Sequence, residues 1–289
     1  MDSEAEDVVA RWRSAAALGG DLRVHAADTL ADFLRDPHPF VRWHASEALA
    51  ETASALQQRG SMSRSNDILT FAAFWALLEE ATRDGHAGRR AAIADGLGLW
   101  GHPQSIDLLK SVLREDDAPS VRASAARALG RIGDRQAVQP LCGALGAKCL
   151  WVQRAAARAL GQIGAPESVA ALRESLVHGE PLVRGSVVVA LGHIRAEKAR
   201  RALVDCLQDE DPAVRWYAAR GLAEIGEVEN VVPLQALLKD DVVLFDRSVG
   251  EVAESAIVAI ERRGGSPWHW LRKQVHVVGQ MLVEKTERG

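Results

Sequence analysis

The sequence predicts an all-α chain, a superhelical solenoid of about seven stacked helical-hairpin repeats with capping helices at its ends. Three observations predict it: a phrase that returns every 31 residues, leucines that keep one register through four copies of it, and a composition that favours helix. Ala, Leu, Arg and Gly dominate while Tyr (1), Phe (5) and Met (3) are scarce, which suits helix better than sheet. With 47% hydrophobic and 26% charged residues the chain can bury a core, which excludes wholesale disorder.

The phrases begin at Val121, Val152, Val183 and Val214 and read VRASAARALGRIG, VQRAAARALGQIG, VRGSVVVALGHIR and VRWYAARGLAEIG. Upstream of each lies a shorter apolar phrase whose leucines recur as Leu141, Leu172, Leu203 and Leu234, and as Leu145, Leu176, Leu207 and Leu238. Each unit therefore reads as two helices. In the second, Val121, Ala125, Ala128, Leu129 and Ile132 share one face, and the alanines among them let neighbouring helices approach. Asp211-Pro212 signals a helix start, with Asp as cap and Pro in the first turn; Asp36-Pro37 and Glu180-Pro181 are looser versions. Gly133, Gly164 and Gly226 are placed to end helices at positive φ.

The pattern extends outward. Arg89 to Gly101 matches at a 32-residue step, and Val41 to Glu51 (VRWHASEALAE) is a further copy displaced by a polar insertion at 57–67, expected as a surface loop. A degenerate seventh unit spans about 229–263. Residues 4–18 and 266–287 read as an N-terminal cap helix and a C-terminal helix, since an open solenoid end would leave apolar surface in water. The whole of 1–289 reads as a single repeat domain, with repeats over 21–263.

The phrase D-P-x-V-R-x-x-A-A-x-A-L-G-x-I-G resembles the HEAT repeat in its short bacterial form, the kind found in the phycobilisome lyase family. The resemblance covers roughly 240 residues and implies a right-handed α-α superhelix. It also implies that the Arg after each Val (Arg42, Arg122, Arg184, Arg215) pairs with a cap carboxylate, and that the outward side of the second helices lines a concave surface. For function it points several ways: scaffolds, bilin lyases and chaperones, metal-dependent hydroxylases and DNA-repair proteins share it.

Catalytic signals are weak. Deoxyhypusine hydroxylase resembles this chain in its repeat phrase but carries His-Glu dipeptides as iron ligands. Here no His-Glu occurs, and the first repeat reads Arg42-Trp43-His44-Ala45. The nine histidines show no HxxxH or HxH spacing, and no nucleophile elbow or phosphate loop is present. Cys142 and Cys206 read as small core residues, and Cys149 as an inter-helix turn residue. Three cysteines without CxxC, an acidic N-terminus and no long apolar stretch are expected of a cytoplasmic protein with reduced thiols and no membrane span.

Helical geometry gives the best functional signal. Positions 0, 4, 7, 8 and 11 from each Val centre the core side at about 20°, so positions 2 and 6 point away, at about 200° and 240°. Along the array those positions hold Trp43 and Glu47, Ala91 and Asp95, Ala123 and Arg127, Arg154 and Arg158, Gly185 and Val189, Trp216 and Arg220. The two tryptophans either cover the edge of a neighbouring repeat or serve as binding anchors, a role for which Trp and Arg are favoured.

Between Ala118 and Gly164 seven basic residues face one acid, Asp134, in a chain of net charge -4. A basic band in an acidic protein suits a protein partner with an acidic patch or peptide, and disfavours nucleic acid. The expectation is a non-catalytic scaffold without cofactor. Its contact residues are Trp43, Arg127, Arg154, Arg158, Val189, Trp216, Tyr217 and Arg220. The alternatives are a bilin lyase or tetrapyrrole chaperone, in which those residues cradle a bilin, and a DNA-backbone binder. The stripe Leu271, Val275, Val278 and Leu282 in 266–287 reads as a cap, or as an oligomerising tail.

Overall fold

A computed structural model of the chain describes residues 2–19, 24–34, 36–58, 85–101, 103 and 105–264. Among these lie fourteen α-helices. Seven of them are second helices of a repeat: α3 (Pro39–Gln58), α4 (Ala87–Trp100), α6 (Pro119–Ile132), α8 (Leu150–Ile163), α10 (Pro181–His193), α12 (Pro212–Ile225) and α14 (Val249–Arg263). First helices are α2 (Val24–Leu34), α5 (Ser105–Glu115), α7 (Val138–Ala144), α9 (Val169–His178), α11 (Glu197–Asp205) and α13 (Val231–Gln235). The N-terminal helix α1 (Asp2–Ala17) packs against α2 and α3, where the sequence places a cap. The chain divides into two compact units, unit one at 1–175 and unit two at 176–289. None of the described helices is long and apolar enough to cross a membrane. The expected insertion falls outside the described residues beyond its first two positions, which close α3; the C-terminal helix at 266–287 falls outside them entirely.

The repeat phrase builds the core. Val121, Val152, Val183 and Val214 are buried, as are Leu141, Leu172, Leu203 and Leu234. The second leucine set diverges: Leu145 and Leu207 are buried, Leu176 is half-buried and Leu238 is exposed. Consecutive second helices touch through small residues. A Cβ on Gly98 would lie 2.5 Å from Ala128 Cα, and one on Gly130 would lie 2.7 Å from Ala159 Cα. In unit two, a Cβ on Gly192 would lie 3.1 Å from Gly221 Cα. These contacts need backbones closer than any side chain permits, so they fix how the hairpins stack.

Loops are held by arginines that reach about 25 residues forward. Arg11 Nε donates to Asp36 at 2.8 Å, and Arg90 grips both oxygens of Asp116 at 2.6 and 2.9 Å. In unit two, Arg184 grips both oxygens of Asp209 at 2.9 and 2.8 Å, and Arg215 Nε donates to Asp240 at 2.8 Å. Each carboxylate also accepts the N–H two residues ahead: His38, Ala118, Asp211 and Val242. Of the four arginines expected to pair with a cap carboxylate, Arg184 and Arg215 pair with loop carboxylates that are not helix caps, joining one repeat to the next loop. Arg42 donates to the Asp36 and Pro37 carbonyls. Arg122 is different. Position 147 is Ala, and Arg122 donates to the Asp116 and Asp117 carbonyls instead. One repeat later Gln153 replaces the arginine and donates to Ala147 O at 2.6 Å.

Asp116 gives these rungs a pH signature. Its burial favours the neutral acid, but hydrogen bonds from Arg90 and Ala118 N–H, with the charges of Arg90 and Arg122, outweigh this and hold its pKa below the ordinary value. A carboxyl whose folded pKa is depressed adds stability that is present above its unfolded pKa, about 4, and lost as pH falls through the folded pKa. Thermal melts across this range are expected to show Asp116→Asn losing less stability on acidification than the wild type. Parallel curves would contradict the linkage.

Three local expectations need correction. Gly133 and Gly164 end their helices at φ 75° and 68°, but Gly226 has φ -68° and is extended. Its glycine serves close approach, since a Cβ there would meet Leu222 O and lie 2.8 Å from Ile260 Cδ1. The chain is also not wholly free of strands: β1 (Val243–Leu244) pairs antiparallel with β2 (Arg247–Ser248) between α13 and α14. The β-branched pair Val242-Val243 enters this hairpin, and Phe245 turns it at φ 62°. Finally, Asp36-Pro37 precedes its helix by two residues, because α3 begins at Pro39. Asp211 caps α12 as expected, accepting from Ala213 N–H at 2.8 Å, while Glu180 makes no side-chain cap bond.

Candidate functional site

Position 2 of the second helices is outward in only part of the array, with Ala91 and Arg154 half-buried. Trp43 is 41% exposed, but Trp216 is only 8% exposed, and Ala123 and Gly185 are buried. Small residues draw adjacent second helices together, so at those last three residues the flank carrying position 2 is covered. Position 6 is more open: Arg158 and Arg220 are exposed, while Arg127 and Val189 are half-buried. Trp216 is therefore corrected from displayed anchor to packed residue. Its ring lies 5.2 Å from Tyr217 and 5.3 Å from Phe245 at the hairpin tip. Its indole N–H is buried and finds no acceptor among the described residues.

Unit one contains a cleft of 460 Å³ across the N-terminal halves of α3, α4 and α6. Trp43 and Trp151 line it, with Ala91, Ala92 and Ala123 among its walls. Trp43 is supported from behind by an edge contact to His44 (4.7 Å) and by Phe40 (6.2 Å). Trp151 is 68% exposed, and the Arg154 guanidinium lies 5.2 Å from its ring centroid. Asp95, Ser124 and Arg127 form a closed set in the same cleft. Arg127 donates to Asp95 at 3.1 Å and to Ser124 Oγ at 2.7 Å, and Ser124 donates to Asp95 at 3.1 Å. Arg127 belongs to the basic band in sequence, yet its charge is neutralised in space.

Unit two contains a second cleft of 400 Å³ between α10 and α12. It gathers Val189, Tyr217 and Arg220 from the expected residues and adds His193, Arg195 and Glu224. Gly192 and Gly221 also line it, where the two helix backbones approach closely. Arg158 lines neither cleft.

Reading only positions 2 and 6 missed Trp151 and Arg195. Trp151 precedes its repeat valine by one residue, which puts it at about 260° on the same wheel, beside position 6. Arg195 lies past the end of α10, where helical periodicity gives no direction. Of the cysteines, Cys206 is buried as expected, while Cys142 and Cys149 are half-buried. Burial, with the charge of Glu167, pushes the Cys142 thiol pKa up, which makes it a poorer nucleophile. No cluster of three or more His, Cys, Asp or Glu suited to a metal occurs among the described residues.

Comparison with known proteins gives the same picture of the fold. The family profile described as HEAT repeats matches residues 75–148, 108–180 and 175–256. No curated protein matches the chain in sequence. Among solved structures, YibA of Escherichia coli is 21% identical, with 81% of this chain and 92% of that chain covered and a TM-score of 0.53. The complex of CpcE and CpcF of phycocyanin lyase from Nostoc sp. PCC7120 matches at 20% identity over 81% of this chain and 94% of that chain, with a TM-score of 0.46. Human deoxyhypusine hydroxylase matches at 23% identity over 83% and 97%, with a TM-score of 0.34. The YibA likeness speaks to fold alone, and the two weaker ones carry no argument about this chain.

Proposed function

We propose that this chain, which belongs to the HEAT-repeat family, is a non-catalytic scaffold that holds an acidic segment of a protein partner against the open flanks of its second helices. One observation carries the reading: charge compensation among the arginines is selective. Arg90, Arg184 and Arg215, which bind loops, are held on carboxylates, and Arg122 is held on loop carbonyls. Arg131, Arg158 and Arg220, on the open flanks, are exposed and have no carboxylate partner among the described residues. Exposed guanidiniums of this kind steer an acidic partner and accept carboxylates in a forked geometry.

The test is recovery of a partner from the native host on the immobilised protein. Arg131, Arg158 and Arg220 changed together to Glu are expected to abolish recovery without changing the helical circular dichroism. A partner recovered in undiminished yield would contradict the proposal.

A tetrapyrrole is the second reading, and one feature favours it. The exposed indoles of Trp43 and Trp151 line a single cleft, with Arg154 beside Trp151, and could stack on a flat conjugated ligand while pairing with its propionates. Titration with biliverdin, followed in the visible spectrum, distinguishes the two readings.

A further inference from the structure

The unit-two cleft differs from its surroundings in how its arginines are held. Arg184, Arg200 and Arg215 sit on carboxylates at 2.8 to 2.9 Å. Arg220 sits instead on a ring, its guanidinium 5.7 Å from the centroid of Trp216. Trp216 is more than nine-tenths buried and fixed by Tyr217 and Phe245. An aromatic face attracts a guanidinium through its quadrupole without cancelling the formal charge. Arg220 is thus positioned while its charge stays available. Arg195 lines the same cleft, is exposed, and has no carboxylate partner among the described residues.

The shape of the cleft complements that charge. Gly192 and Gly221 bring the two helices close together along it, and Val189 and Ile225 add apolar lining. Glu224, exposed in the same lining, limits the positive charge of the cleft and disfavours a second acid.

We infer that this cleft seats one isolated acidic side chain of a partner peptide, its hydrocarbon stem over Gly192 and Gly221 and its carboxylate on Arg195 and Arg220. The inference rests on the acidic-partner reading above and names the place in unit two where an acid is recognised.

The full chain, labelled with nitrogen-15, is titrated with the peptide acetyl-Ala-Ala-Glu-Ala-Ala-amide and with its Gln counterpart. Saturable shifts of the Gly192 and Gly221 amide signals are expected with the Glu peptide, and at least fivefold weaker binding with the Gln peptide. Arg195→Ala and Arg220→Ala, each checked for an unchanged amide spectrum away from the cleft, are each expected to weaken the Glu peptide at least fivefold. If Arg220→Ala disturbs the fold, Arg195→Ala carries the test alone. Equal response to both peptides, or titrations unaffected by the variants, overturns the inference. Shifts confined to the surroundings of Arg131 and Arg158 overturn it while leaving the acidic-partner reading standing; no shifts anywhere count against both.

Discussion

Trp216→Ala is expected to destabilise unit two by about 3–5 kcal/mol, the usual loss when a large buried aromatic is truncated. The ring packs against Tyr217 and Phe245 and supports Arg220, so truncation opens a void and removes three contacts together. Trp216→Phe keeps a ring in place and deletes the indole N–H, which has no acceptor among the described residues. It is expected to stay within about 1.5 kcal/mol of the wild type, since shape is largely kept and a buried unpaired donor is removed. Urea denaturation followed by far-ultraviolet circular dichroism measures both. A loss of under about 1 kcal/mol for the alanine variant, the size of a surface change, would mean that the ring is not packed.

Gly130→Val is expected to cost about 3 kcal/mol or more, at the upper end for overpacking because backbone must move rather than side chain. Its Cβ would stand 2.7 Å from Ala159 Cα and 2.8 Å from Ala159 Cβ. Three residues on, Gly133 meets nothing within 4 Å but holds φ 75°. Gly133→Ala is therefore expected to cost only about 1 kcal/mol, the strain of a side chain at positive φ. Urea midpoints of the two variants separate these causes. Equal losses would show that α6 and α8 are not in contact through Gly130.

The repeat was readable because stacking imposes one period on the buried positions. Val121, Val152, Val183 and Val214 recur because each fills the same slot, and burial at all four follows from the period alone. What a helical wheel cannot carry is the neighbouring helix. It placed Trp216 and Ala123 outward because it treats each helix as isolated, whereas close glycine and alanine contacts cover that flank. The hairpin that brings Phe245 onto Trp216 breaks the period of the seventh unit, so nothing upstream announces it. Charge shows the same limit. Arg127 and Arg158 look alike in sequence, but Arg127 meets Asp95 from 32 residues earlier and Arg158 is exposed. Trp151 was within reach of the same geometry, one position before the valine.

Whether the uncompensated guanidiniums are the surface offered to a partner can be read from their own side-chain N–H resonances. On adding the acidic partner, the Nε–Hε signals of Arg131, Arg158 and Arg220 are expected to shift and saturate together, while those of Arg90, Arg184 and Arg215 stay in place on their carboxylates. Movement of the second group with the first group silent would contradict the proposed mode of recognition.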